Sequence, residues 1–134
     1  KEAENANDAS SDNSEDASSL FEQIDRTIRD ERLYLNPDFQ RQALVDMFHS
    51  DRNRVGRVIK NFSGFSNLSA YINNYRLEYA YRLLCDLDNK QTIDSIAKAS
   101  GFSTVRTFQR LFKERYGMTP AEFRESYPGL RTNE

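Results

Sequence analysis

Apolar residues recur at helical spacing from Leu20 to Phe123. Leu20, Phe21, Ile24 and Ile28 share one face of a first helix, over about residues 20–32. It stops before Asn36-Pro37, because the residue ahead of a proline is pushed out of the helical region. A second helix is expected from about Asp38 to Phe48, burying Phe39, Leu44 and Phe48 or their near neighbours. Asp51 is a good N-cap for a third helix that reaches Phe62, and Gly64 is a natural terminator. Ser66 or Asn67 opens a long fourth helix, with Leu68, Tyr71, Ile72, Tyr75, Tyr79, Leu83, Leu84 and Leu87 along its faces and Asp88-Asn89 at its end. Thr92 caps a fifth, with Ile93, Ile96 and Ala97 inward, and Gly101 closes it. Ser103 or Thr104 caps a sixth that ends at Gly117. Thr119-Pro120 opens a short seventh, with proline in the first turn, where its missing N–H leaves no bond unmade. No alternating pattern predicts a strand. The expected architecture is all-helical: two helix-turn-helix units joined by a long helix.

The third and sixth helices contain the same pattern. Arg57-Val58-Ile59-Lys60-Asn61-Phe62-Ser63-Gly64 is echoed by Arg110-Leu111-Phe112-Lys113-Glu114-Arg115-Tyr116-Gly117 at a constant offset of 53 residues. At roughly 100° per residue, Val55, Val58, Ile59 and Phe62 form the apolar side of the third helix. Opposite lie Asn53, Arg57 and Lys60, flanked by Arg54, Gly56 and Asn61. In the sixth, Phe108, Leu111 and Phe112 oppose Arg106, Arg110 and Lys113, flanked by Thr107, Gln109 and Glu114. Residues 51–60 and residues 103–115 each carry four basic groups and one acid. A single basic face is most often plain solvated surface. A repeat made only for packing would duplicate the apolar residues without duplicating Arg57 and Arg110 outside. Two matching basic faces suit a long anion, and DNA is the obvious one. Arg bonds guanine O6 and N7 together, Asn or Gln does the same for adenine, and Lys at the rim suits phosphate.

Charge changes the picture at the N-terminus. Hydrophobic residues make up 37% of the 134, low enough to suggest that part of the chain lies outside the core. Residues 1–19 hold six acids against Lys1 and are otherwise Ala, Asn and Ser. Such a stretch buries too little apolar area to offset its ordering entropy, and is expected to be a disordered acidic linker. Without its charge of −5, the overall −2 becomes +3 for residues 20–134. The start at Lys1 rather than Met suggests a piece of a longer protein.

The remaining chemistry is sparse. Cys85 and His49 are the only residues of their kinds, which leaves no intramolecular disulfide, multi-cysteine metal site or histidine cluster. There is no Gly-rich phosphate loop and no spacing for a Ser/His/Asp set. Neither an enzyme activity nor a cofactor is expected. No apolar run approaches the roughly 18 residues of a membrane span. The competing reading is a helical interaction module whose basic faces bind an acidic protein partner.

Residues Ile96-Ala97-x3-Gly101-Phe102-Ser103-x4-Phe108-x-Arg110-x-Phe112-Lys113-x3-Gly117-x-Thr119-Pro120-x2-Phe123-Arg124 resemble the signature of the AraC/XylS family of bacterial transcription regulators. Tyr71-Ile72-x3-Arg76-x3-Ala80-x2-Leu83-Leu84 is similar to that family's connecting helix. The likeness covers about residues 35–127 and is weaker before Gly64. It implies a seven-helix, homeodomain-like bundle over residues 20–134. Its first helix-turn-helix would lie at about 38–63, its connecting helix at about 67–87 and its second motif at about 92–116. The recognition helices would enter successive major grooves of promoter DNA, about 34 Å apart.

Carried over by position, the implied base contacts are Asn53, Arg54 and Arg57 in the first motif and Arg106, Thr107 and Arg110 in the second. Arg52 and Val105 would sit at the helix tips, with Val105 near a thymine methyl. Lys60, Lys113 and the helix starts at Asp51 and Ser103-Thr104 would lie near phosphates. The first motif departs from the family pattern. Gly56 stands where a longer polar side chain is usual, Val45 where alanine is, and His49 where the turn glycine is. Those departures imply a first motif that supplies mainly nonspecific affinity. The resemblance further implies a missing N-terminal sensory or receiver domain, RNA polymerase as a candidate partner, and a cytoplasmic place at the nucleoid without membrane contact by this stretch. Residues 28–90 look closest to the Bacteroidetes style of such domains, in which the rest of the chain is often a membrane-bound or hybrid two-component sensor.

Overall fold

The computed structural model describes residues 14–126. Among them are seven α-helices and no strand: α1 (Ser14–Asp30), α2 (Arg41–Phe48), α3 (Arg52–Phe62), α4 (Leu68–Cys85), α5 (Ile93–Ala99), α6 (Val105–Tyr116) and α7 (Pro120–Ser126), with a 3-10 turn at Leu33–Leu35. The packing forms two compact units. The first takes the described residues up to Leu33 together with Phe39–Ile72, and the second takes Tyr34–Asp38 together with those from Asn73 onward.

In the first unit, α1 and α2 both pack on α3. Ile24, Ile28, Leu44, Val55 and Ile59 are fully buried, and Leu20, Val58, Tyr71 and Ile72 nearly so. The Phe21 ring lies 6.3 Å from Phe62 and 5.7 Å from Tyr71, whose hydroxyl donates to the Asp25 carboxylate. The first helix therefore packs within its own unit, as its short apolar stripe suggests. It starts earlier than expected. Ser14–Ser19 belong to α1 rather than to an acidic linker. Glu15 and Asp16 lie in its first turn, where the helix dipole favours acids, and Ala17 is buried. The rest of the linker expected over residues 1–19, namely residues 1–13, lies outside the described residues.

Helix α2 also differs from expectation. It begins at Arg41, three residues after Asp38, because Asn36 Oδ1 accepts the Asp38 N–H in a local turn at 2.9 Å. Only Leu44 of its three expected apolar anchors is fully buried; Phe39 and Phe48 are half-buried.

The second unit is built on Phe108, Phe112, Leu84, Ile96, Ala97 and Ala80, all sealed from solvent, with Leu77 and Phe102 nearly so. Aromatic rings dominate: Phe108 lies 5.2 Å from Phe102 and 5.7 Å from Phe112, and Tyr116 stacks on Tyr81 at 4.8 Å. Arg76 holds Tyr34–Asp38 in this unit. Its Nε donates to the Tyr34 carbonyl at 2.7 Å and its Nη2 to the Asn36 carbonyl at 2.9 Å. Burial lowers its pKa, although a guanidinium stays charged.

Local signals fix most helix ends. The side chains of Asp51, Thr92 and Thr104 each accept the backbone N–H three residues on. Asn67 does the same for Ala70 at 2.8 Å, which opens α4. Thr119 and Glu122 form a reciprocal capping box at the start of α7. The Thr119 N–H, donated to the Glu122 carboxylate, holds that carboxyl below the ordinary 4.5. Arg124 Nη1 then ties α7 to the Gln91 carbonyl at 2.6 Å.

Candidate nucleic-acid interface

Each unit contains a short helix, a tight turn and a second helix with a basic outer face. In the first, α2 ends at His49 in the left-handed conformation, φ 51°, and the Ser50 N–H reaches back to the Val45 carbonyl at 3.1 Å. In the second, α5 leads to Gly101 at φ 97°, and the Phe102 N–H reaches back to the Ala97 carbonyl at 3.1 Å. These are the same helix-ending bonds. The two turns match at an offset of 52 residues, whereas the helices after them match at 53: Asp51 caps α3 and Thr104 caps α6. The second turn is one residue longer, and Phe102 in that turn is driven into the core.

His49 thus occupies the place of the turn glycine and adopts its conformation. Gly101 answers to a further constraint. A Cβ there would stand 2.3 Å from the Tyr34 carbonyl oxygen and 2.9 Å from Leu35 Cα. Exposed His49 meets no such demand.

The expected division of α3 and α6 into apolar and basic sides holds in each unit. Val55, Val58, Ile59, Phe108 and Phe112 are buried, while Asn53, Arg57, Lys60, Arg106, Arg110 and Lys113 are exposed. Phe62 departs from the pattern, being 37% exposed. Arg110 Nη1 approaches Glu114 Oε2 at 3.4 Å, and both side chains are more than half exposed, so the pair is weak and easily exchanged for another acceptor.

The flanking candidates are less free. Arg54 is half-buried, and its N–H is held by Asp51 Oδ1 at 2.8 Å. Thr107, also half-buried, accepts a bond from the Thr104 hydroxyl at 3.1 Å. Val105 is partly packed against the core, which reduces what it offers outward. Ser103 is exposed and leaves the capping to Thr104. At the start of α3, Arg52 Nη1 meets Gln42 Oε1 at 3.4 Å.

Along the N-terminal half of α3 runs an open groove of about 820 Å³ lined by Arg41, Arg52, Arg54 and Arg57, with Asp51 as the acid among its lining residues. Arg41 has no counterpart in the sequence repeat and is not among the residues that sequence reasoning singled out. Among the described residues no group of acids, histidine and cysteine is placed to hold a metal ion, and no helix is long and apolar enough to cross a membrane.

Residues 44–126 match the family described as a helix-turn-helix domain, a span of more than half the chain. A solved transcriptional regulator from Chromobacterium violaceum, described as AraC-type, is 25% identical; the alignment covers 66% of this chain and 77% of that one, with a TM-score of 0.59. The chain belongs to the AraC-type helix-turn-helix family. The C-terminal domain of the two-component response regulator yesN from Fusobacterium nucleatum is similar to this AraC-type domain with 25% identity and a TM-score of 0.68, covering 79% of this chain and 98% of that one. The probable transcription factor PqrA of Proteus vulgaris is 40% identical over 70 residues, 52% of this chain and 55% of the relative. The AraC-type chain thus spans about half the length of that curated relative.

Proposed function

We propose that this domain binds double-stranded DNA by seating α3 and α6 each in a major groove, and that it regulates transcription from the site so recognised. The observation that carries this reading is the pair of matched outer faces. Two helices, each anchored by buried side chains and each following a tight turn, present Asn53, Arg57 and Lys60 in one unit and Arg106, Arg110 and Lys113 in the other. Arg57 and Arg110 lie near the middle of those faces and are assigned to base edges, with Asn53 and Arg106 beside them and Arg54 and Thr107 on the flank. Lys60, Lys113 and the N–H groups at the capped starts of both helices are assigned to phosphates. The family is one of transcription regulators, which supports the regulatory half of the proposal.

The C-terminal domain of a two-component response regulator among the similar structures favours a longer protein whose N-terminal part senses a signal or receives one; the proposal places it at the cytoplasmic nucleoid with RNA polymerase as a further partner. The deciding experiment selects a duplex from a random-sequence library with this chain. Fluorescence polarisation then compares the selected duplex with its scrambled counterpart. Preferential retention of the selected duplex is expected. Equal affinity for both, together with tighter binding to an acidic protein, would favour the interaction-module reading instead.

A further inference from the structure

Gly56 leaves a gap on the flank of the α3 reading face, and Arg41 fills it. The Arg41 guanidinium packs against the place where a side chain at position 56 would begin: Nη1 is 3.3 Å, Cζ 3.6 Å and Nη2 3.9 Å from the point a Cβ would occupy. Among the described residues its one hydrogen bond is long, from Nη1 to the Arg52 carbonyl at 3.4 Å, so most of its five N–H donors have room for another acceptor. Arg41 also lines the basic groove along the start of α3. Nothing similar is available in the second motif, where the first residue of the preceding helix is Ile93 and the position matching Gly56 is Gln109, exposed and carrying its own polar chain.

We propose that Arg41 serves the first motif as a phosphate clamp reaching in from α2, and that the absent side chain at Gly56 is what gives it its seat. The inference rests on the DNA-binding reading above. The flank position favours backbone phosphate over base edges, since the middle of the face is held by Asn53 and Arg57. A helix-interior glycine, otherwise a local weakness, then has a use: any longer side chain at 56 would evict the guanidinium.

The test uses the 134-residue chain with the selected duplex and its scrambled counterpart, in polarisation titrations over a salt series. Arg41→Ala should weaken both duplexes by the same several-fold factor and reduce the salt slope by about one, the loss of one phosphate contact. Arg41→Lys should retain the slope. Gly56→Leu should weaken binding in the parent chain and have no further effect in the Arg41→Ala background. Unchanged affinity and slope in Arg41→Ala, with helicity intact by circular dichroism, would overturn the clamp. So would a loss confined to the selected duplex, or an equal Gly56→Leu penalty in both backgrounds. If Arg57→Ala still weakens the selected duplex, only the clamp has failed. If Arg57→Ala and Arg110→Ala also bind unchanged, the groove-reading proposal falls with it.

Discussion

The two helix-turn-helix motifs end their first helices with the same bond back across five residues, yet one turn uses histidine and the other glycine. His49 reaches the left-handed region at φ 51° with its side chain exposed. Gly101 reaches it at φ 97° with the Tyr34 carbonyl pressed against the place a Cβ would take. One turn asks only for a backbone conformation, which a polar side chain tolerates at a modest cost. The other asks for that conformation and for the absence of a side chain. The second turn also sends Phe102 into the core and inserts Ser103 before its cap, whereas the first passes from Ser50 directly to its cap. A shared helix-ending bond therefore conceals unequal tolerance to change.

Four measurements press on this contrast. The largest effect is expected from Gly101→Ala, which combines backbone strain with overlap against main-chain atoms and should cost on the order of 3 kcal/mol or more in urea unfolding. The matching change, His49→Gly, should be neutral or stabilise by up to about 1 kcal/mol. Comparable losses in both turns would erase the distinction drawn above. At the DNA, Arg110→Ala and Arg57→Ala should each cost roughly 1–3 kcal/mol at one base pair of the selected site, read as a relaxed preference in competition titrations. A loss for Arg110 alone would sharpen the contrast by assigning base reading to the second motif. Removing the matched caps, Asp51→Ala and Thr104→Ala, should each lower stability by about 1 kcal/mol; a much smaller value at one would mean that its helix start is held chiefly by packing. The smallest effect concerns α7. Because the folded state depresses the Glu122 pKa below 4.5, its contribution is present above that pH and fades as pH falls through the lower folded value. Acid titration by circular dichroism should show this in the parent chain, and Glu122→Gln should flatten it.

Much of this was legible in the sequence because the signals are local. Asp51, Thr92 and Thr104 cap through bonds that span three residues, and Gly64 and Gly117 take φ 86° and 85° just beyond the helices they terminate. The buried and exposed sides of α3 and α6 follow from spacing alone. Errors arise where distant parts meet. The start of α1 falls earlier than composition suggests because an acidic stretch reads as linker, although Glu15 and Asp16 fit a first helical turn beside buried Ala17. Phe39, Phe48 and Phe62 look like core by type, but burial depends on neighbours that spacing cannot supply. Arg41 escaped notice because its importance comes from a glycine fifteen positions away, across the turn. Nor does spacing reveal that Arg76 reaches two backbone carbonyls about forty residues earlier.

The grip of Arg76 on the Tyr34 and Asn36 carbonyls has a consequence for any attempt to cut the protein in two. The second unit is not a contiguous stretch of chain: five of its residues precede the whole of the first motif. A C-terminal fragment beginning at Asn73 would lose the two backbone acceptors of that guanidinium and the Tyr34 ring, which stacks 5.4 Å from Tyr75. The sequence repeat invites exchange of one copy for the other, but the copies are not interchangeable cassettes. A transplanted second motif must carry Tyr34–Asp38 with it.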